Sequence, residues 1–377
     1  MFIPYGKHCI EDDDIEAVSE ALRKNYIATG PGLEEFEHKF AHYVGAQYAV
    51  ALSSGTAALH ACCYAIGIHE GDEVITTPLT FAASANCVLY CGGKPVFADI
   101  DSRTYNIDPA EIERKITKRT KAIIPVHFTG QPCDIDAIHD IAERNGLYVI
   151  EDAAHATGAE YKGKKIGSLS DMTIFSFHPV KHMTTGEGGM VTTNNEELYK
   201  KIKAFRAYCI TKDRDLLVDK EDGPWHYEMQ GLGYNYRISD VMCALGCSQL
   251  NKIDKFVMRR REIAARYNDE MKNFEHIVLP FQAEGRISSW HLYTILFSNK
   301  EKRKEAYMRL RDSGIGVDVH YLPVYRHPYY QQNGYENTYC KNAEGIYDRI
   351  ISIPIFYKLS ESEQMYVIEK IRDLKDK

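Results

Sequence analysis

The sequence predicts an α/β protein in two parts: a large domain on a mostly parallel central sheet over residues 1–250, and a smaller C-terminal α+β domain over residues 251–377. Three observations carry this expectation. Strand-like and helix-like apolar runs alternate through most of the first 250 residues, as in a parallel sheet covered by helices. Beyond that point a long amphipathic helix leads into a less regular mixture of strands and helices. A chain of 377 residues is also too long for one ordinary core.

The elements follow in order. Tyr48-Ala49-Val50-Ala51-Leu52 reads as a strand, and after Ser53-Ser54-Gly55-Thr56 the apolar positions Ala58, Leu59, Cys62 and Ile66 take helical spacing. Next come a strand Glu73-Val74-Ile75-Thr76, a helix from about Phe81 to Tyr90, a strand Pro95-Val96-Phe97-Ala98 and a helix after Asp108-Pro109. The strand Ala122-Ile123-Ile124-Pro125-Val126, a helix from Ile135 to Arg144 and the strand Leu147-Tyr148-Val149-Ile150 complete the alternation. The charged, turn-rich stretch from Thr211 to Gln230, with Gly223-Pro224 inside it, predicts a mobile loop. The C-terminal part predicts a helix from Phe256 to Phe274, a strand from Trp290 to Phe297, a helix from Lys302 to Ser313, a strand from Val317 to Tyr321 and a last helix from Glu361 to Leu374.

Composition removes several function classes. The hydrophobic fraction of 44% and charged fraction of 26% are those of a globular protein. A net charge of −7 with scattered charges gives no basic surface for nucleic acid. No apolar stretch nears the ~20 residues that span a bilayer, and the N-terminus lacks signal-peptide organisation, so a cytoplasmic location away from membranes is expected. Most of the ten cysteines sit inside apolar helical patterns and read as reduced core residues. The i,i+4 pairs Cys87/Cys91 and Cys243/Cys247 lack a second pair at zinc spacing, so no metal is expected.

The chemistry gathers around Lys181. It closes Ser176-Phe177-His178-Pro179-Val180-Lys181 and runs into Thr184-Thr185-Gly186-Glu187-Gly188-Gly189, while Glu151-Asp152-Ala153-Ala154-His155-Ala156 ends an apolar run upstream. A lysine facing an aspartate suggests pyridoxal phosphate chemistry: the amine forms a Schiff base with the cofactor aldehyde, and the carboxylate keeps the pyridine nitrogen protonated. A half-buried lysine there has a lowered pKa. Asp152 has an alternative role as a helix cap. The Gly55-Thr56 turn between strand and helix can receive a phosphate through backbone amides, as many helix N-termini can. Ser176 can donate to the same phosphate, His178 can pack beside the cofactor, and Phe81 offers a stacking face or an ordinary core side chain.

Together with Gly55-Thr56-Ala57-Ala58-Leu59 and Gly233-Tyr234-Asn235-Tyr236-Arg237-Ile238-Ser239, these segments resemble, nearly end to end, the DegT/DnrJ/EryC1/StrS family of sugar aminotransferases. The resemblance implies the fold-type I pyridoxal phosphate-dependent architecture and a homodimer with shared active sites. It makes Lys181 the Schiff-base lysine and Asp152 the partner of the pyridine nitrogen. Gly55, Thr56 and Ser176 would bind the phosphate, Phe81 would stack on the ring, and His155 would sit near the ring hydroxyl. Asn235 would reach the phosphate of the neighbouring subunit. Within the family the likeness is greatest to the transaminases of pseudaminic acid biosynthesis, through Ile3-Pro4-Tyr5-Gly6, Ala28-Thr29-Gly30-Pro31 and Val319-His320-Tyr321-Leu322-Pro323-Val324-Tyr325. This implies a UDP-linked 4-keto-6-deoxy amino sugar as acceptor and L-glutamate, leaving as 2-oxoglutarate, as donor. Tyr5, Thr29, His178, Arg237, His320 and Tyr321 are the residues expected around the substrate. An aminotransferase for another nucleotide-linked keto sugar, a dehydratase and a non-catalytic protein on the same fold are the alternatives. The dehydrating members of the family carry histidine in place of the lysine, and Lys181 is retained here.

Overall fold

Seven strands form the central sheet of the computed structural model, which describes residues 2–220 and 223–375. In chain order the strands of the large domain are β1 (Tyr48–Leu52), β2 (Glu73–Thr76), β3 (Lys94–Phe97), β4 (Thr120–Ile124), β5 (Tyr148–Asp152), the two-residue β6 (Glu160–Tyr161) and β7 (Lys164–Lys165), β8 (Met172–Ser176) and β9 (Gly189–Thr193). The sheet order is β1-β9-β8-β5-β4-β2-β3. Only β9 runs against its neighbours β1 and β8, so the other six strands point the same way. These strands are almost fully buried because helices cover both faces.

The two-residue side-chain period divides each strand between two cores. Val50, Leu52, Val74, Ile124, Ile150 and Ile174 pack with the helices Gly55–Ala65, Ala83–Tyr90 and Glu196–Phe205. The alternate positions face the other side, where Ala49, Ala51 and Phe175 meet the helix Pro31–Val44, and Ile75, Ile123 and Val149 meet the helix Ile135–Asn145. One close approach demands glycine. A Cβ on Gly189, at the start of β9, would lie 2.7 Å from the Gly55 nitrogen and run into the Ser54 carbonyl.

The C-terminal part is built on the helix Ile253–Met271, the antiparallel pair β13 (Tyr293–Leu296) and β14 (Ile350–Ile353), and the helices Lys300–Asp312 and Glu361–Arg372. The chain's beginning joins this unit. Ile3 is buried in its core, donates from its amide to Gly314 and accepts from the Gly316 amide at 2.6 Å. Short β12 (Arg286–Ile287) pairs with β6 and ties the two parts together.

Two expectations need correction. No strand forms from Val317 to Tyr321: Ile315 bridges to Ile3 and Asp318 to Ser352, each as an isolated bridge, because the chain turns away from β14 before a ladder can extend. The stretch from Thr211 to Gln230 is not loop throughout. Its ends pair as β10 (Ile210–Thr211) and β11 (Glu228–Met229), and the Glu228 carboxylate accepts from the amides of Val218 and Asp219, both at 2.7 Å. Residues 221 and 222 lie outside the described residues. Among the described residues no helix is long and apolar enough to cross a membrane.

Candidate active site

The carboxyl ends of the parallel strands open into a cavity of about 340 Å³, the position at which such sheets place ligands. Tyr5, Gly55, Thr56, Phe81, Asp152, His155, Ser176, His178, Lys181, His320 and Tyr321 all line it. The fold therefore gathers eleven of the residues singled out in the sequence, drawn from positions more than 300 apart, around one space.

A corner suited to an anion is assembled where β1 gives way to the helix Gly55–Ala65. Ser54 caps that helix, its hydroxyl accepting from the Ala57 amide at 3.1 Å, and leaves the first amides facing the cavity. Ser176, the last residue of β8, lies so close that a Cβ on Gly55 would be 3.1 Å from the Ser176 Cβ. The concavity is thus backbone amides and one hydroxyl.

Asp152 ends β5 and is 4% exposed. Burial raises its pKa, opposed by the Ser84 hydroxyl donating to Oδ2 at 2.7 Å, the Ala154 amide donating to Oδ1 at 3.1 Å, and the positive charge of Lys181. The carboxylate is under-compensated by the protein alone, and a protonated pyridine nitrogen is the cation that would complete it.

Lys181 sits on the loop between β8 and β9. That loop is closed by the Phe177 amide donating to Gly188 and the Thr185 amide donating to Phe177, with Phe177 itself buried against Phe36 and Phe40. Gly186, at φ 84°, makes the turn a side chain would strain. The lysine is half-buried, and its pKa falls to about 8: burial lowers it, Asp152 raises it and Arg260 lowers it further. Such an amine has a substantial neutral fraction near neutrality.

His155 is buried, and burial with the charge of Lys181 holds its imidazole well below the usual histidine range. Its Nε2 faces the Tyr321 hydroxyl at 3.2 Å, while Nδ1 finds no partner among the described residues. Phe81 is 63% exposed at the cavity, 6.3 Å from the Tyr321 ring, so its face is free to stack. Nucleophilic amine, under-compensated carboxylate, anion corner, stacking face and unpartnered imidazole nitrogen together fit pyridoxal phosphate.

Thr29, Asn235 and Arg237 do not line this cavity. Thr29 is exposed ahead of the helix Pro31–Val44, Asn235 is exposed and bridges to Ala207, and the Arg237 guanidinium lies over the Tyr208 ring. Sequence reasoning missed Ser84, Glu187, Arg260 and His291. Ser84 and Asp152 are 68 positions apart and Lys181 and His291 are 110 apart, so no local spacing signals either pair. His182, the residue directly after the lysine, directs Nε2 to the Ser289 carbonyl at 3.1 Å.

Comparison with known proteins gives concordant matches. The model of the DegT/DnrJ/EryC1/StrS aminotransferase family matches residues 8–372. The chain is 43% identical to the spore coat polysaccharide biosynthesis protein SpsC of Bacillus subtilis, over 99% of this chain and 97% of that protein. It is 39% identical to the UDP-4-amino-4,6-dideoxy-N-acetyl-β-L-altrosamine transaminase of Campylobacter jejuni, over 100% and 98%. Among solved structures it resembles Helicobacter pylori PseC, an aminotransferase involved in the biosynthesis of pseudoaminic acid, with a TM-score of 0.92 at 31% identity over 99% of each chain.

Proposed function

Because the chain belongs to the DegT/DnrJ/EryC1/StrS aminotransferase family, and is therefore a pyridoxal phosphate-dependent sugar aminotransferase, we propose that it moves an amino group from L-glutamate to C4 of a UDP-linked 4-keto-6-deoxy-N-acetylhexosamine. The acceptor of this reading is UDP-2-acetamido-2,6-dideoxy-β-L-arabino-hex-4-ulose, and the product serves pseudaminic acid biosynthesis. The observation that supports it is Lys181, with an amine at about 8, opening into the same cavity as buried Asp152, in a chain 39% identical to a transaminase of that product.

In this reading the Gly55 and Thr56 amides and the Ser176 hydroxyl hold the cofactor phosphate, Phe81 covers one ring face, Asp152 holds the ring nitrogen and His155 lies beside the ring hydroxyl. Bound there, pyridoxal phosphate supplies an aldehyde that takes up the amino group and a ring that draws electrons from the carbon being deprotonated. Lys181 is the residue that would hold that aldehyde. Once free, its amine takes the proton from the α-carbon of glutamate, and in the second half it returns a proton to sugar C4. Because 2-oxoglutarate leaves before the sugar enters, the kinetics are ping-pong. Tyr5, His178, His320 and Tyr321 border the sugar from one chain. Thr29, Asn235 and Arg237, which lie away from that chain's own cavity, serve the neighbouring subunit of a homodimer.

The chain is also 43% identical to a spore coat polysaccharide biosynthesis protein, above the 39% to the transaminase, so the competing reading is another nucleotide-linked keto sugar, for which the D-xylo 4-keto sugar serves as the test case. The test bleaches the visible band of the holoenzyme with glutamate and then adds each UDP-linked 4-keto-6-deoxy sugar separately. Recovery with only the L-arabino sugar is expected. Recovery with only the D-xylo sugar would overturn the proposed acceptor and keep the reaction.

A further inference from the structure

Three buried histidines stand around Lys181, and two of them, His182 and His291, have no assignment in the reaction. His155 meets the Tyr321 hydroxyl and His182 meets the Ser289 carbonyl. His291 meets the lysine itself: its Nε2 lies 3.4 Å from Lys181 Nζ. The His291 ring packs 4.3 Å from that of His155 and 5.5 Å from that of His182, centroid to centroid. It is 4% exposed, and its Nδ1 finds no hydrogen-bond partner among the described residues. The Lys181 amine is therefore the polar group this imidazole addresses.

The backbone that carries His291 is pinned from both parts of the molecule. Arg260, buried on the helix Ile253–Met271, donates from one guanidinium nitrogen to the carbonyls of Trp290 at 3.2 Å, His291 at 3.2 Å and Ile355 at 2.9 Å. From the other side the Leu292 amide donates to Thr129 at 3.2 Å and the Ser289 amide to Gly130 at 3.1 Å. A ring held this way is a fixed receptor, whereas Lys181 ends a flexible four-carbon stem.

We propose that His291 is a positioning residue that receives the Lys181 amine whenever it is free of the cofactor, presenting the Nε2 lone pair to the ammonium with its own proton on Nδ1. The proton stays on the lysine nitrogen, so the imidazole gains and loses none. It holds the proton carrier in one place between taking a proton from one carbon and giving it to another, the orientation that general acid–base catalysis needs. The groups around this contact are Asp152 on β5, His155 after it, His182 on the lysine's own loop, Arg260 on the long helix and His320 on the segment before the cavity. Burial, together with the positive charges of Lys181 and Arg260 in this set, keeps His291 neutral, consistent with a lone-pair acceptor.

The inference rests on the reading of Lys181 as the cofactor lysine, and its test separates the two. In the glutamate-treated holoenzyme, the pH dependence of Lys181 acylation, followed by mass spectrometry of its peptide, reports the amine without turnover. His291→Leu is expected to move that titration to lower pH, since the ammonium loses its acceptor. It should also slow the glutamate half-reaction about tenfold, the worth of one charge-assisted hydrogen bond, with the half-saturating glutamate concentration unchanged. His291→Gln, whose amide reaches the Nε2 position, should restore both. An unshifted titration in His291→Leu overturns the proposal. Should that variant not fold, a crystal structure of glutamate-treated wild type decides: an amine within hydrogen-bond distance of His291 supports the proposal, and one turned away from it overturns it. If wild type takes no cofactor onto Lys181, the functional reading fails instead.

Discussion

Burial of Lys181 should be readable as a pH-dependent contribution to stability, and the substitution Lys181→Met isolates it. The ordinary lysine pKa of 10.5 falls to about 8 in the folded chain. A depressed lysine binds fewer protons folded than unfolded between those two values, so stability rises with pH across that window. At about 1.4 kcal/mol per pH unit, the gain on going from pH 8 to above 10.5 is up to about 3 kcal/mol. Below pH 8 both states carry the proton and the cost of the buried charge is constant. The assay is urea unfolding of the cofactor-free protein, wild type against Lys181→Met, from pH 7 to 10.5, which cancels the alkaline titration of every other group to first order. The difference between the two should be flat below pH 8 and then shift in favour of wild type by up to about 3 kcal/mol. A difference that stays flat throughout would refute the reasoning, because a solvated lysine produces no such slope.

Three further outcomes follow from the site and its scaffold. Ser84→Ala removes the 2.7 Å donor to Asp152, which should raise that carboxyl further and weaken cofactor retention about tenfold. In the proposed role of Asp152 the ionised carboxylate is the binding form, so cofactor loss on acidification should begin at a higher pH in this variant; an unchanged profile by equilibrium dialysis contradicts it. Gly189→Ala drives a methyl against the Ser54–Gly55 backbone and should lower stability by about 3 kcal/mol in urea unfolding, an unaltered midpoint being the contrary result. Tyr321→Phe leaves the buried His155 Nε2 unpaired and should lower the stability of the cofactor-free protein by about 1 kcal/mol, measured by the same unfolding with an unchanged slope in denaturant.

The parts of the molecule that sequence made legible are those in which chemistry and local pattern coincide. β1, its turn and the helix Gly55–Ala65 are written as an apolar run, a Ser-Ser-Gly-Thr break and a switch to helical spacing, and the structure reproduces that order. Asp152 and Lys181 stand out because each follows an apolar strand at the carboxyl edge of the sheet, where a charged group has reason to be. The antiparallel β9 was not evident, since its place between β1 and β8 depends on the close approach at Gly189. Val317–Tyr321 has strand-like composition, yet pairing is a tertiary event: Asp318 bridges to Ser352 as a single residue pair, and Ile3 from the far N-terminus meets the chain just before it, at Ile315. Ser84, Arg260 and His291 look like ordinary polar residues of helices and loops. Their meaning comes from what the fold sets beside them, a carboxylate, three carbonyls and an amine.

The most direct test of the account is to trap the cofactor where it binds. Holoenzyme reduced with borohydride, digested and mapped by mass spectrometry should carry the reduced phosphopyridoxyl group on the peptide containing Lys181, and glutamate treatment before reduction should abolish that label. A label on a different lysine, or one at Lys181 that glutamate does not remove, would contradict the claim that Lys181 and Asp152 form the transaminating centre.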